Sequence, residues 1–118
     1  MIIYKKYFFD AAHFMPDFKG NDKYSNLHGH SYEVTIFIKK KIQSGKKWVM
    51  NFDDLDNIVE PLLKKLDHKT LNNISGLEQP TSENIARWFW KNMLEKTSDL
   101  DSIEIIRPRI GGCIYSGE

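Results

Sequence analysis

HGHSYEVTIFIK, residues 28–39, is the stretch of sequence that decides the fold. Its apolar side chains recur at every second position, the period of a β-strand with one buried face. One face carries Tyr32, Val34, Ile36 and Ile38, and the other carries Glu33, Thr35, Phe37 and Lys39. The alternation predicts a strand that gives its apolar face to the core and begins at a pair of histidines.

The segments on either side of this strand predict further β-structure. Residues 2–13 are rich in Ile, Tyr and Phe, and we expect them to pair antiparallel with residues 28–39. The polar segment 17–27 contains Gly20 and predicts the loop between these two strands. Residues 48–52 form a short apolar run, which predicts a third strand.

Two helices are predicted in the second half of the chain. Asp53 or Asp54 is expected to cap the first helix, and Pro61 inside it predicts a kink or an early end. Its helically spaced apolar residues are Leu55, Ile58, Val59, Leu62, Leu63 and Leu66. The segment PTSE, residues 80–83, predicts the start of the second helix. The apolar stripe of that helix consists of Ile85, Trp88 and Phe89.

Two more strands, over residues 102–107 and 113–116, complete the predicted order ββ(β)ααββ. This order is typical of an α+β domain in which the helices cover one face of an antiparallel sheet. A chain of 118 residues without a shift in composition predicts one domain, residues 1–118.

Charge and cysteine content narrow the classes of function. Seventeen Lys and Arg against sixteen Asp and Glu give a net charge of +1, which argues against a nucleic-acid partner. The lone cysteine, Cys113, cannot form an intrachain disulfide. The N-terminal residues lack a signal-peptide pattern, and no apolar run approaches the roughly 18 residues of a membrane span. We therefore expect a cytoplasmic protein with no membrane partner.

Three of the four histidines predict a metal site. His28 and His30 point the same way on a strand, with Cα atoms roughly 6.7 Å apart, and His13 ends the neighbouring strand. Gly29 between them lets another group approach closely. Three imidazoles with a fourth position open are typical of catalytic zinc. The alternative is that the two histidines of the triplet are surface or packing residues.

The fourth histidine follows an aspartate, as Asp67-His68 at the end of the first predicted helix. An adjacent carboxylate can orient an imidazole that moves protons. The alternative is a helix C-terminus that favours a cationic side chain.

Five segments occur in the order of one known family: FDAAH (9–13), LHGH (27–30), LDH (66–68), LNNISGLEQPTSEN (71–84) and GCIYSGE (112–118). In these segments the chain resembles the 6-pyruvoyl-tetrahydropterin synthases, above all their bacterial branch, the 6-carboxytetrahydropterin synthases of the queuosine pathway. The resemblance implies a tunnelling fold whose subunits form a ring, commonly a hexamer, with active sites at subunit interfaces.

The resemblance also implies the chemistry of the site. It assigns zinc to His13, His28 and His30, where the metal polarises the side-chain oxygens of 7,8-dihydroneopterin triphosphate. A cysteine and an Asp–His pair, matched here by Asp67 and His68, move protons as triphosphate leaves. In the bacterial branch a carbon–carbon bond then breaks and acetaldehyde is released.

The chain departs from the family pattern at the cysteine. That position, four residues before His28, is Tyr24 here. Cys113 belongs to the closing GCIY segment and is expected to be a packing residue. A phenol ionises near pH 10 and a thiol near 8.5. Forming the anion that acts as a base therefore costs a tyrosine at position 24 roughly 2 kcal/mol more than it would cost a cysteine. Tyr24 is either a proton-transfer group or a loop aromatic.

The second departure concerns the glutamate that holds the pterin in the family. Its position is Arg107 here, and an arginine donates hydrogen bonds without accepting any. Glu104, three residues earlier, faces the other way on a strand and is a poor replacement. Arg107 is expected either to bind an anionic or carbonyl-rich substrate or to form a structural salt bridge.

Three functions remain open from the sequence. The first is a zinc-dependent lyase of the 6-carboxytetrahydropterin synthase type. The second is a divergent enzyme that recognises a different, non-pterin substrate through Arg107. The third is a non-catalytic zinc-binding oligomer, which would not need the Asp67-His68 pair.

Overall fold

Four strands form one antiparallel sheet in chain order, in a computed structural model that describes residues 1–18 and 23–118. The strands are β1 (Ile2–His13), β2 (His28–Lys39), β3 (Leu100–Arg107) and β4 (Gly111–Tyr115). The predictions for the first two strands are confirmed residue for residue. Residues 19–22 of the predicted loop 17–27, which include Gly20, lie outside the described residues.

Two helices, α1 (Phe52–Leu66) and α2 (Ser82–Leu94), cover one face of the sheet. Helix α1 packs on β1, and α2 packs on β3 and β4. The alternation in residues 28–39 is confirmed, because the apolar face of β2 lies in the core beneath these helices. The helical residues buried there are Leu55, Val59, Leu62, Leu66, Ile85, Ala86, Phe89 and Met93. No described helix is both long enough and apolar enough to cross a membrane.

The start of α1 differs from the prediction in two ways. Residues 48–51 form no strand, and Phe52 already belongs to the helix. Trp48 is exposed while Val49 and Met50 touch the core, so the backbone bends instead of alternating. The cap is Asn51, whose side chain accepts a hydrogen bond from the Asp53 amide at 2.8 Å. Because a side chain two residues earlier caps the helix, the two predicted acidic caps lie in its first turn.

Pro61 does not shorten α1, which continues to Leu66. A proline lacks the N–H that would bond to the carbonyl four residues earlier, that of Asn57. Both residues are exposed, so water can satisfy this carbonyl. The apolar face of the helix remains packed, and the predicted early end is wrong.

A polar cluster joins α1 to β1 beside the core. The Tyr7 hydroxyl donates to Asp56 at 2.6 Å, and the Lys5 ammonium contacts the same carboxylate at 2.8 Å. Burial, and then the bond to Asp56, raises the pKa of the Tyr7 phenol. The folded protein therefore keeps this phenol protonated at a pH where the unfolded chain ionises it.

We expect Tyr7→Phe to lower the free energy of unfolding by about 1 to 2 kcal/mol at neutral pH, since one hydrogen bond to a carboxylate is lost. Because the Tyr7 pKa is higher in the folded protein than in the unfolded chain, its contribution to the free energy of unfolding is complete below about pH 10. The contribution is progressively lost as the pH rises above that value. The variant should therefore show a smaller loss of stability between pH 10 and 11 in urea unfolding. Tyr4→Phe, on the opposite, exposed face of β1, is the control. Equal alkaline losses in the Tyr7 variant and the wild type would contradict the assignment.

Candidate metal centre

The pairing of β1 with β2 brings three histidines to one point of the sheet. His13 lies directly opposite His28, and Ala11 lies opposite His30, so all three imidazoles are on the helix-covered face. Their ring centroids are 4.5 to 4.9 Å apart. One nitrogen from each ring can be chosen so that all three lie within 4.8 Å of one another. The predicted cluster therefore forms within one chain.

Backbone carbonyls orient two of the imidazoles. The Nδ1 of His13 lies 2.9 Å from the Pro80 carbonyl, and the Nδ1 of His28 lies 2.6 Å from the Asn26 carbonyl. A carbonyl only accepts, so each Nδ1 carries the proton and each Nε2 keeps its lone pair. The Tyr32 hydroxyl lies 3.4 Å from the His13 Nδ1, too far to compete. Both rings thus present their Nε2 atoms as ligands.

The Nε2 atoms of His28 and His30 are buried and have no hydrogen-bond partner in the described structure. A buried nitrogen without a partner is costly, and a metal ion would satisfy both atoms at once. Three neutral imidazoles suit zinc and leave a fourth coordination position open. The donor set therefore fits a divalent metal.

The protonation state of the cluster also suits metal binding. Burial lowers the pKa of His13, with a backbone bond to Pro80 acting in the opposite direction. Burial, and then the neighbouring His13, lowers the pKa of His30 to about 4. Both rings are therefore neutral at physiological pH, which is the form that ligates a metal.

The structure leaves enough space at position 29 for a side chain larger than that of glycine. A Cβ built there would meet its nearest neighbour, the Ala11 carbonyl oxygen, at 3.6 Å, an ordinary van der Waals contact. The close approach that the sequence predicted at this position does not occur among the described residues, because the paired strands keep their normal separation.

A cavity of about 250 Å³ lies beside His13, and we call it the triad cavity. Its wall includes His13, Phe18, Tyr24, Ser82, Glu83 and Arg107. The Tyr24 ring packs edge-to-face on Phe18 with centroids 5.5 Å apart. The fold thus brings Tyr24 and Arg107 to the same space as one of the three histidines.

Arg107 forms no ion pair with a carboxylate of residues 1–18 or 23–118. The salt-bridge role that the sequence allowed therefore finds no partner there. Glu104 lies on the opposite face of β3, paired with Ile114, as the alternation predicts. Cys113 is a half-buried free thiol packed against the core, so its predicted packing role is confirmed.

Asp67 and His68 lie elsewhere, along the outer edge of β1. The His68 Nδ1 is 3.0 Å from the Asp67 carboxylate, which also accepts the Asp10 amide at 2.9 Å. This backbone bond is the largest cause of the lowered pKa of Asp67, and His68 contributes further. His68 has a left-handed backbone with φ of 59° and an exposed side chain. Because α1 ends at Leu66, His68 lies beyond the helix, held by its own amide bond to the Asp10 carbonyl.

His68, which contacts Asp67, borders a second cavity of about 520 Å³, which we call the edge cavity. The strand residues Asp10, Gly29 and Ser31 line the edge cavity. By the alternation of the strands, these positions lie on the face of the sheet opposite to the imidazole cluster. His30 also borders the edge cavity, although its ring points to the other face, towards His13. Among the described residues, neither Tyr24 nor Arg107 lines the edge cavity, and neither Asp67 nor His68 lines the triad cavity.

Ser82, Glu83 and Phe18 were not identified as site residues from the sequence. The segment PTSE gave a signal for a helix start, and that prediction is confirmed by the Thr81 cap on the Asn84 amide at 3.1 Å. Nothing local indicated that this helix start would border the histidine cluster, since Pro80 and His13 are 67 residues apart.

Comparisons with known proteins identify relatives over nearly the whole chain. The family model described as 6-pyruvoyl tetrahydropterin synthase matches residues 2–118. The 6-carboxy-5,6,7,8-tetrahydropterin synthase of Synechocystis sp. is 40% identical over 120 residues, covering 97% of this chain and 92% of the relative. The dihydroneopterin monophosphate aldolase of Pyrococcus furiosus is 38% identical over 88 residues, covering 75% of this chain and 69% of the relative.

A solved structure gives the same fold. The 6-pyruvoyl tetrahydropterin synthase of Caenorhabditis elegans superposes with a TM-score of 0.88 at 20% identity, covering 100% of this chain and 96% of that one. At this identity the likeness concerns the fold alone. It confirms the tunnelling-fold subunit that the sequence predicted.

Proposed function

The chain belongs to the 6-pyruvoyl tetrahydropterin synthase family, and on this premise we propose that it is a zinc-dependent lyase of pterin metabolism. Its proposed reaction is that of a 6-carboxy-5,6,7,8-tetrahydropterin synthase, acting on 7,8-dihydroneopterin triphosphate or a related compound in the cytoplasm. The observation that carries the proposal is the histidine cluster, in which the buried Nε2 atoms of His28 and His30 have no hydrogen-bond partner among residues 1–18 and 23–118.

The residues around the proposed metal have defined roles in this proposal. The imidazoles of His13, His28 and His30 would hold a zinc ion, which would supply a Lewis acid for the substrate's side-chain oxygens. The Pro80 and Asn26 carbonyls hold the His13 and His28 rings in the tautomer that leaves Nε2 free. Tyr24, in the wall of the triad cavity, is the proposed proton-transfer group on that side of the substrate.

Asp67 and His68 are the proposed acid–base pair. The carboxylate orients the imidazole through the 3.0 Å contact, as a proton shuttle needs. The strained backbone of His68 is a feature that residues with functional roles often show. Such a pair favours catalysis over a non-catalytic metal-binding oligomer, which has no use for it.

The position of this pair leads us to propose a homo-oligomer, with the hexamer as the expected ring. The pair lies at the outer edge of β1, and we propose that it faces the histidine cluster of a neighbouring copy. The helix-free face of the sheet exposes Tyr4, Phe8 and Ile114 by 63%, 67% and 63%, and apolar surface of this kind favours association.

Mass spectrometry of the zinc-loaded protein with 7,8-dihydroneopterin triphosphate tests the proposal. We expect 6-carboxytetrahydropterin and acetaldehyde as products, formed only when zinc is bound. Protein from which a chelator has removed the zinc is the control. Dihydroneopterin monophosphate is the comparison substrate, because one relative is named an aldolase for that compound. No turnover of either compound, with zinc bound, would contradict the proposed reaction.

A different substrate is the second candidate function, and Arg107 is the observation that favours it. A carboxylate could accept two hydrogen bonds from the donor-rich edge of a pterin, whereas a guanidinium can only donate. The double substitution Tyr24→Cys with Arg107→Glu distinguishes the two functions. Pterin turnover that appears only in the double variant would show that the wild type acts on another compound.

A further inference from the structure

Two residues that line the triad cavity each carry a buried polar atom with no hydrogen-bond partner in the described structure. The two atoms are the Oγ of Ser82, a residue only 6% exposed, and the Nε of Arg107. Both residues line the same cavity, on the wall formed by the start of α2 and the end of β3. Buried polar atoms are almost always satisfied, so two on one wall indicate a ligand that would satisfy them.

The start of α2 adds donors to this wall. Thr81 caps the helix through the Asn84 amide, and the Ile85 amide bonds to the Thr81 carbonyl. The amides of Ser82 and Glu83, in the first turn, have no acceptor within the helix. A helix of 13 residues also presents the positive end of its dipole here, where a negative group is stabilised.

The charges around the cavity agree with an anionic ligand. Arg107 has no carboxylate within 4.0 Å among the described residues, so its positive charge is not neutralised by an ion pair there. Glu83 is the opposing charge on this wall. It is exposed, so water screens its carboxylate and the side chain can turn outward. Both buried groups can thus donate a hydrogen bond, and the carboxylate on this wall is exposed.

We propose that Arg107, Ser82 and the first turn of α2 form an anion-binding subsite for a carboxylate or phosphate group of the ligand. This inference rests on the proposed function only in that the same ligand also reaches the histidine cluster through His13. A guanidinium fork matches the two oxygens of either group, and the Ser82 hydroxyl can donate to one of them. The subsite therefore selects a ligand with an anionic end and disfavours a donor-rich edge in this position.

Equilibrium dialysis of the zinc-loaded full chain with labelled inorganic phosphate, and separately with labelled acetate, tests the subsite at constant ionic strength. We expect saturable binding of one or both anions, and the tighter anion identifies the class of group. Arg107→Gln should weaken this binding by about tenfold or more, since hydrogen bonds to charged groups are lost. Ser82→Ala should weaken it by about threefold or more.

Arg109→Gln is the matched control, because it removes the same charge from an exposed residue outside the triad cavity. It should bind the anions as the wild type does. Arg107→Lys, which keeps the charge, guards against a folding defect and should retain part of the binding. His30→Ala, which should lose the metal, separates the subsite from anions held on zinc and should retain binding.

Three results would overturn the subsite: no saturable binding of either anion, equal binding by wild type and Arg107→Gln, or complete loss in His30→Ala with none in Arg107→Gln. The dialysis does not depend on turnover. Pterin turnover without anion binding would refute this inference alone. Anion binding without turnover of either pterin substrate would refute the proposed function alone.

Discussion

Replacing His28 or His30 with alanine is expected to abolish metal binding and leave the protein folded. Each imidazole would supply one of three ligand nitrogens in the proposed site, and even loss of an outer hydrogen bond to a ligand weakens metal binding by about 10- to 100-fold. Metal affinity should therefore fall by at least about 100-fold. The fold should persist because both Nε2 atoms bond to no protein group of the described chain. Metal content by mass spectrometry and helix content by circular dichroism measure the two outcomes.

His68→Ala is the matched control for this experiment. It removes an imidazole of the same size that lies on the edge cavity, so it should keep the full metal content. Stoichiometric zinc in both His28→Ala and His30→Ala would refute the three-histidine site. Loss of zinc in His68→Ala alone would place the metal at the edge of β1 instead.

Asp67→Asn and His68→Gln are expected to lower kcat by about 100- to 10,000-fold with metal content unchanged, because each removes one half of the proposed proton-transfer pair. A stronger test uses the separation of this pair from the triad cavity within one chain. His30→Ala and His68→Gln, each inactive alone, should regain about a quarter of wild-type activity when co-expressed in one oligomer. This fraction is the chance that an intact cluster faces an intact pair from a neighbouring copy.

Two outcomes would contradict this prediction. No recovery in mixed oligomers would mean that the pair and the cluster act within one chain, or that the pair has no part in catalysis. A monomer across micromolar concentrations by light scattering would remove the basis for complementation altogether. Two copies of His68→Gln with different tags, co-expressed, are the control and should stay inactive.

The local part of the fold was predictable from the sequence because it depends on periodicity. The two-residue alternation of 28–39 gave the bounds of β2, and the helical spacing around Val59 and Phe89 gave both helices. Where neither period was strong the prediction was wrong. Residues 48–52 are mostly apolar without alternation. In the described structure they pair with no strand and form a bend followed by the start of α1.

The histidine cluster was also predictable, since its geometry follows from one antiparallel ladder. His28 and His30 share a face by alternation, and pairing the ends of two consecutive strands sets His13 opposite His28. The resemblance to a known family added the roles proposed for Asp67 and His68. The resemblance did not indicate where Asp67 and His68 lie relative to the histidine cluster.

The sequence by itself therefore determined the strand pair, the two helices and the clustering of the three imidazoles, because backbone geometry fixes the direction of neighbouring side chains. Only the tertiary structure decided which groups surround these imidazoles. The packing of α2 on β3 sets Pro80 against His13 and brings Ser82 to Arg107. The path of the chain after α1 sets His68 on the opposite side of β1. Contacts between residues far apart in sequence are fixed by how whole elements pack, which no local pattern records.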